Sequence, residues 1–250
     1  MTQPLAGKIA IVTGAGRNIG RAIALRLAAD GAAVVVNGRR DGAALDEVVA
    51  AITAAGGVAV PALADVSDPE AVERMIAGVV GRFGGIDIVV SNAGLRRQTP
   101  FLQLGYAEWR EIMSVALDGA FILTRAAVPH MLGRGGGAIV ALSGASTHIG
   151  TPNRAHVSAS KAGLEGLMRA LAVELAAHGI TANAVAPGIV DTVRGAAAGA
   201  TPPRLASSDV PLGRKASVDD IAAMVRHLVG PEGAYITGQT IHVNGGIHLT

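Results

Sequence analysis

The chain alternates short apolar, β-branched runs with longer stretches of helical period. This alternation limits its fold more than any single residue does. The runs "KIAIVT", "AAVVVN", "VAVPALA", "IDIVVSN", "GAIVALS", "TANAVAP" and "QTIHVNG" read as strands. Helical patterns lie between them: Ile19 to Ala29, Asp41 to Ala55, "DPEAVERMIAGVVGRF", a long one from about Tyr106 to Leu132, and Val157 to Ala177. Asp68 and Pro69 suit the N-cap and first helical position of the third. Gly56 and Gly57 end the second. Strands that are apolar throughout are buried on both faces, which makes the sheet parallel and puts helices on either side. The pattern predicts an α/β fold: a single doubly wound Rossmann-type domain over residues 1–250, with a seven-stranded parallel sheet and helices on both faces. The segment from Asp191 to Pro211, rich in Ala, Gly, Thr and Pro, reads as a substrate lid or as an ordered surface excursion.

Half the residues are hydrophobic and 16% are charged, which supports a large core and opposes disorder. The formal net charge of +2, with scattered basic residues, gives no footprint for nucleic acid or a membrane surface. The absence of cysteine removes disulfides, thiol nucleophiles and Cys-ligated metals from consideration. No signal peptide or membrane span is read, so a soluble cytoplasmic protein with a small-molecule substrate is expected. His242 and His248 have no carboxylates at metal-ligand spacing, so no metal site is expected.

The first strand ends in "TGAGRNIG", and a helix follows at once. Gly14, Gly16 and Gly20 allow a tight turn and close approach to a pyrophosphate. The helix start at Ile19 supplies amide donors, and Asn18 tolerates a left-handed backbone. The second strand ends in "NGRR" without a carboxylate to hold a ribose 2′-hydroxyl. Arg39 can stack on adenine and pair with a 2′-phosphate, and Arg17 points to the same region. Two arginines and no acid favour NADP over NAD. Arg40 reads as a solvated charge at the helix start.

With "TGAGRNIG", "DV" at Asp65 and Val66, "SNAG" at 91–94, "PGIVDT" at 187–192 and "YITGQTIHVNGG", the chain resembles the short-chain dehydrogenase/reductase family over nearly its whole length. The resemblance implies that Asp65 and Val66 hold the adenine ring. It places Asn92, Ala93 and Gly94 along the cofactor cleft. Pro187, Gly188, Val190 and Thr192 would cradle the nicotinamide, and Lys161 would bind its ribose. It also implies a homotetramer joined through the two long helices.

The family's usual proton machinery is a tyrosine four residues before the lysine, a serine thirteen before that, and an asparagine in the preceding long helix. Here Lys161 is kept, and the other three positions hold Val157, Gly144 and Ala116. Four groups are candidates to fill the gap. His156 is adjacent to the vacant position, although its helical direction also suits an interface. His148 lies in the loop that borders substrate in the family. Ser143 could polarise an oxygen from one position away, or be a satisfied strand-end hydroxyl. Lys161 could itself be the acid if desolvated. Arg96, Arg97 and Arg154 could select an anionic substrate or be solvated or intersubunit charges. Neither tyrosine, Tyr106 nor Tyr235, occupies the family's acid position.

Three functions fit these features. The chain could be an NADP-dependent oxidoreductase with a non-standard proton path, acting on a small carbonyl, alcohol or imine. It could be a lyase, isomerase or hydrolase on the same fold. It could also be a dinucleotide-binding protein without catalysis.

Overall fold

A computed structural model describes residues 3–193 and 210–249. Of the lid segment from Asp191 to Pro211, residues 194–209 therefore lie outside the described residues.

Seven strands form one sheet: β1 (Ile9–Val12), β2 (Ala33–Gly38), β3 (Val58–Leu63), β4 (Ile88–Ser91), β5 (Gly137–Leu142), β6 (Ile180–Pro187) and β7 (Thr240–Val243). Their order is β3-β2-β1-β4-β5-β6-β7, and every pairing is parallel. The expected doubly wound sheet is present. Central strands β1 and β4 are buried at every position, as their unbroken apolar sequences require.

Two apolar layers cover the sheet. On one face α1 (Asn18–Ala29), α2 (Gly42–Ala54) and α8 (Val218–Val229) pack through Ile23, Leu27, Leu45 and Val225. On the other, α3 (Pro69–Phe83), α5 (Gly119–Gly133) and α7 (Ala155–Leu175) pack through Val72, Leu123, Leu164 and Met168. Asp68 accepts hydrogen bonds from the Glu70 and Ala71 amides, with Pro69 beginning α3, so that cap forms as its residues imply. Helix α8 was not among the expected elements. Its signal was available: Ser217 and Asp220 form a reciprocal capping box at its start.

The long helix expected from Tyr106 is interrupted. α4 (Tyr106–Met113) runs into a π-turn over Ser114–Asp118 before α5 resumes. The combined helix is apolar and long enough to span a membrane by composition. Much of that apolarity is spent inside the protein, on buried Ile112, Ala116, Ala120, Leu123, Ala127 and Met131. Beyond α5 the chain forms α6 (Ser146–Ile149), a single turn at the carboxyl end of β5.

At the amino end of the sheet, the buried Asp87 carboxylate joins three segments. It accepts from the Ile9 amide at 2.9 Å, from Lys8 at 3.2 Å and from Arg134 at 3.2 and 3.3 Å. Asp87→Ala leaves the Ile9 amide without its partner. We expect a loss of about 2 kcal/mol in unfolding free energy, measured by urea denaturation.

Candidate functional site

Strand order reverses between β1 and β4, and a doubly wound sheet binds ligands at the carboxyl ends of such strands. The glycine loop lies there. Gly14 has φ +61° and Asn18 has φ +50°, so Asn18 does adopt the left-handed backbone expected of it. A Cβ on Gly20 would come within 2.3 Å of the Gly14 carbonyl oxygen, which leaves glycine as the residue that fits. Ile19 is buried in the core, so it can meet a ligand only through its backbone. Arg17 is exposed at the N-cap of α1, and Gly16 lies against Ala44 and Leu45 of α2.

Thr13 fixes this loop to the strand beside it. Its hydroxyl donates to the Val90 carbonyl and accepts from the amides of Asn92 and Ala93, each at 3.0 Å. The Asn92 amide group donates to the Thr13 and Gly14 carbonyls at 2.8 and 3.1 Å. Thr13 was not singled out from sequence. Its place between β1 and the glycine turn was the available signal.

Arg39 and Asp65, from the ends of β2 and β3, are brought together at 3.6 Å. Burial pushes the Asp65 carboxyl up, but hydrogen bonds from Ser67 and the Arg39 guanidinium hold it below its ordinary value. Asn37 donates to the Ala62 and Ala64 carbonyls, so this member of "NGRR" is structural. Val66 wedges against Gly119 at the start of α5, where a Cβ would lie 2.8 Å from it.

On the other side of the crevice, Pro187 ends β6 and its carbonyl accepts from the Ala145 amide. Gly188 passes so close to Asn244 that a Cβ would meet its Cα at 2.7 Å. Val190 bridges to Ala216. Thr192 accepts from Arg96 at 3.4 Å, and the Asn18 side chain pairs with the Val193 backbone in both directions at 3.0 Å. The two ends of the expected cofactor cleft therefore touch through Asn18.

Lys161 faces this crevice from α7. Its ammonium donates to the Leu142 carbonyl and lies 3.5 Å from the position a Cβ on Gly94 would take. Burial, with the Arg96 charge adding to it, brings Lys161 down to about 8. One turn earlier on α7 stands Val157, buried. Gly144 lies at the end of β5, and Ala116 is buried within the π-turn, a distortion frequent at functional sites.

The candidate replacements separate. His156 is fully buried, with its Nε2 3.2 Å from Glu108 of α4. It belongs to the packing between α4 and α7 within the chain. Arg97 makes a bidentate pair with Glu111 at 2.5 and 3.0 Å, so it is engaged structurally and is not a free anion receptor. Arg154 is buried. Tyr106 and Tyr235 are both exposed, Tyr106 at the start of α4.

Ser143 and His148 meet on one carboxylate. Ser143 donates to Glu165 Oε1 at 2.5 Å, and His148 Nε2 lies 2.9 Å from the same oxygen. Glu165 is buried on α7, one turn beyond Lys161. His242 and His248 join this group, with ring centroids 4.6 to 5.1 Å apart among the three histidines. The expectation of no metal site rested on sequence spacing. Folding supplies the proximity, including a carboxylate, that spacing did not display.

A family described as enoyl-(acyl carrier protein) reductase matches residues 14–248. The chain is 39% identical to a 3-oxoacyl-(acyl-carrier-protein) reductase of Synechocystis sp., over 97% of this chain and 98% of the relative. It is 40% identical to the 3-oxoacyl-(acyl-carrier-protein) reductase FabG of Staphylococcus aureus, again over 97% and 98%. Among solved structures, a dehydrogenase/reductase from Sinorhizobium meliloti superposes with TM-score 0.91 at 36% identity, covering 99% of this chain and 98% of the other. A short chain dehydrogenase from Burkholderia cenocepacia in complex with NADP gives TM-score 0.89 at 35% identity, covering 98% and 99%.

Proposed function

The chain belongs to the short-chain dehydrogenase/reductase family, and from that premise we propose that it is an NADP-dependent oxidoreductase with a non-standard proton path, acting on a small carbonyl, alcohol or imine. One observation carries the reading. The glycine loop, the Arg39–Asp65 corner and Lys161 are all in place, while the side chain one turn before Lys161 is a valine.

The residues fit the dinucleotide. Gly14, Gly16 and Gly20 permit the tight, closely packed turn that leads into the α1 N-terminus, whose amides would take the pyrophosphate. Arg39 and Arg17 take the 2′-phosphate, and Asp65 and Val66 border the adenine. Asn92, Ala93 and Gly94 line the cleft, with Pro187, Gly188, Val190 and Thr192 opposite. When bound, the reduced cofactor supplies hydride. Lys161 would hold the ribose and carries an exchangeable proton beside Gly94 and the end of β5. Its lowered pKa suits proton transfer near neutrality better than that of an ordinary lysine. An iminium carbon needs no acid at all, so imines that arrive already protonated are the substrates least affected by Val157.

A second reading, a dinucleotide-binding protein without turnover, is favoured by Ser143. Its hydroxyl proton is committed to Glu165 and is not offered to a substrate oxygen. The main reading also includes a cytoplasmic homotetramer, for which exposed Phe121 on α5 and Val173 on α7 supply apolar surface.

Calorimetry with NADPH and NADH tests the cofactor assignment. Arg39→Ala is expected to weaken NADPH binding roughly 10–100-fold, the equivalent of about 1.5–3 kcal/mol for hydrogen bonds to a charged group. NADH binding should stay within about twofold, because the exposed Arg39–Asp65 pair contributes little by itself. Equal weakening of both dinucleotides would remove Arg39 from the 2′-phosphate site.

A further inference from the structure

Three histidines distant in sequence converge at the carboxyl end of the sheet. His148 belongs to α6, His242 to β7, and His248 to the segment that follows. Sheet register explains part of the meeting. The Ser143 amide bonds to the Val185 carbonyl, extending β5 along β6, and the next β6 residue, Ala186, pairs with His242. Alanine between them leaves room for larger groups on either side. One ligand nitrogen from each ring lies within 4.8 Å of the others.

Several features of the cluster suit a metal. His242 Nδ1 is buried and has no hydrogen-bond partner, an arrangement that ordinarily costs about 1–3 kcal/mol. His148 Nε2 lies 2.9 Å from Glu165 Oε1; with the ring proton on Nε2 it donates to the carboxylate, and Nδ1 keeps the lone pair. This is the carboxylate–histidine relay that orients metal-bound imidazoles. Ser143 holds the carboxylate in turn. Three nitrogens about 2.0–2.1 Å from one ion stand about 3.4 Å apart. From the 4.8 Å limit, the widest nitrogen pair would have to close by about 1.4 Å on binding.

We propose that His148, His242 and His248 bind a divalent transition-metal ion of zinc type, with Glu165 as the positioning residue for His148. Three imidazoles suit zinc over magnesium or calcium, which take oxygen ligands. The fourth coordination position is left for water. A bound ion would clasp the C-terminal segment to the turn after β5, one turn of α7 from Lys161.

The test uses untagged full-length protein, stripped with chelator and dialysed against Zn²⁺ alone, with metal quantified per chain. One Zn²⁺ per chain is expected. His242→Ala and His248→Ala should each weaken binding at least about tenfold, and Glu165→Gln about 10–100-fold. His178→Ala, outside the cluster, should bind as the parent does. His248 lies beyond the last strand, so its replacement leaves the sheet intact if His242→Ala does not fold. Co²⁺ substitution gives a second readout: visible bands of low-coordinate cobalt in the parent, lost in His248→Ala. No stoichiometric zinc, or undiminished binding in His248→Ala, overturns the proposal. Neither readout involves NADPH, so this site and the oxidoreductase reading stand or fall separately.

Discussion

Val157→Tyr combined with Gly144→Ser is expected to raise NADPH-dependent reduction of a 3-oxoacyl thioester by about 10²–10⁴-fold, the usual worth of a positioned general acid. Positions four apart on a helix share a face, so a phenol at 157 stands beside the Lys161 ammonium. That cation lowers the phenol's pKa and keeps its proton exchangeable. The second change is sterically free: a Cβ on Gly144 meets nothing closer than Ser146 Oγ at 3.7 Å, and its φ is not left-handed. The first change puts a larger group where valine is buried, with an overpacking cost of about 1–3 kcal/mol unless the ring opens into the cleft. Melting temperature and NADPH affinity are therefore measured beside kcat/KM. A gain in kcat/KM with affinity preserved shows a competent scaffold that lacks only its acid. Preserved affinity with no gain means that the crevice does not position a carbonyl, and the binding-protein reading takes precedence.

The parts of this molecule that a sequence displays are those written in local period and composition. The seven apolar runs became seven strands in one sheet: the inner strands are buried on both faces and show it in their composition, while the edge strands β3 and β7, apolar as well, are only partly covered. Asn18 at φ +50° and Asp68 as a cap are local as well. The unreadable parts depend on long-range register. The π-turn over Ser114–Asp118 has no residue-type signature, and it breaks what reads as one helix. Arg97 meets Glu111, and His156 meets Glu108, only once α4 is laid against its neighbours. The histidine cluster joins residues from β7, the C-terminal segment and the turn after β5, which no spacing rule connects. Helix α8 is different: its Ser217–Asp220 capping box is local and legible in the sequence.

Lys161→Met is expected to lower the rate of reduction by about 10²–10⁴-fold if the ammonium is the remaining proton source. It should also weaken NADPH binding if, as proposed, the same nitrogen anchors the ribose. The pH profile separates these two roles. Burial and the nearby Arg96 charge set Lys161 to about 8. Reduction needs the protonated amine, so kcat at saturating NADPH should be level through pH 7 and fall about tenfold per pH unit above 8. Alcohol oxidation needs the neutral amine as acceptor, so it should rise with pH and level off above 8. Arg96→Met removes a like charge, raises the Lys161 pKa and moves both limbs to higher pH. Lys161→Arg keeps a cation that does not titrate in this range, so cofactor affinity should largely survive while the limb disappears. A profile that stays flat from pH 6 to 9.5 in the parent enzyme would show that Lys161 only holds the cofactor. The proton would then come from water or from a substrate that arrives already charged, and imines would become the first compounds to assay.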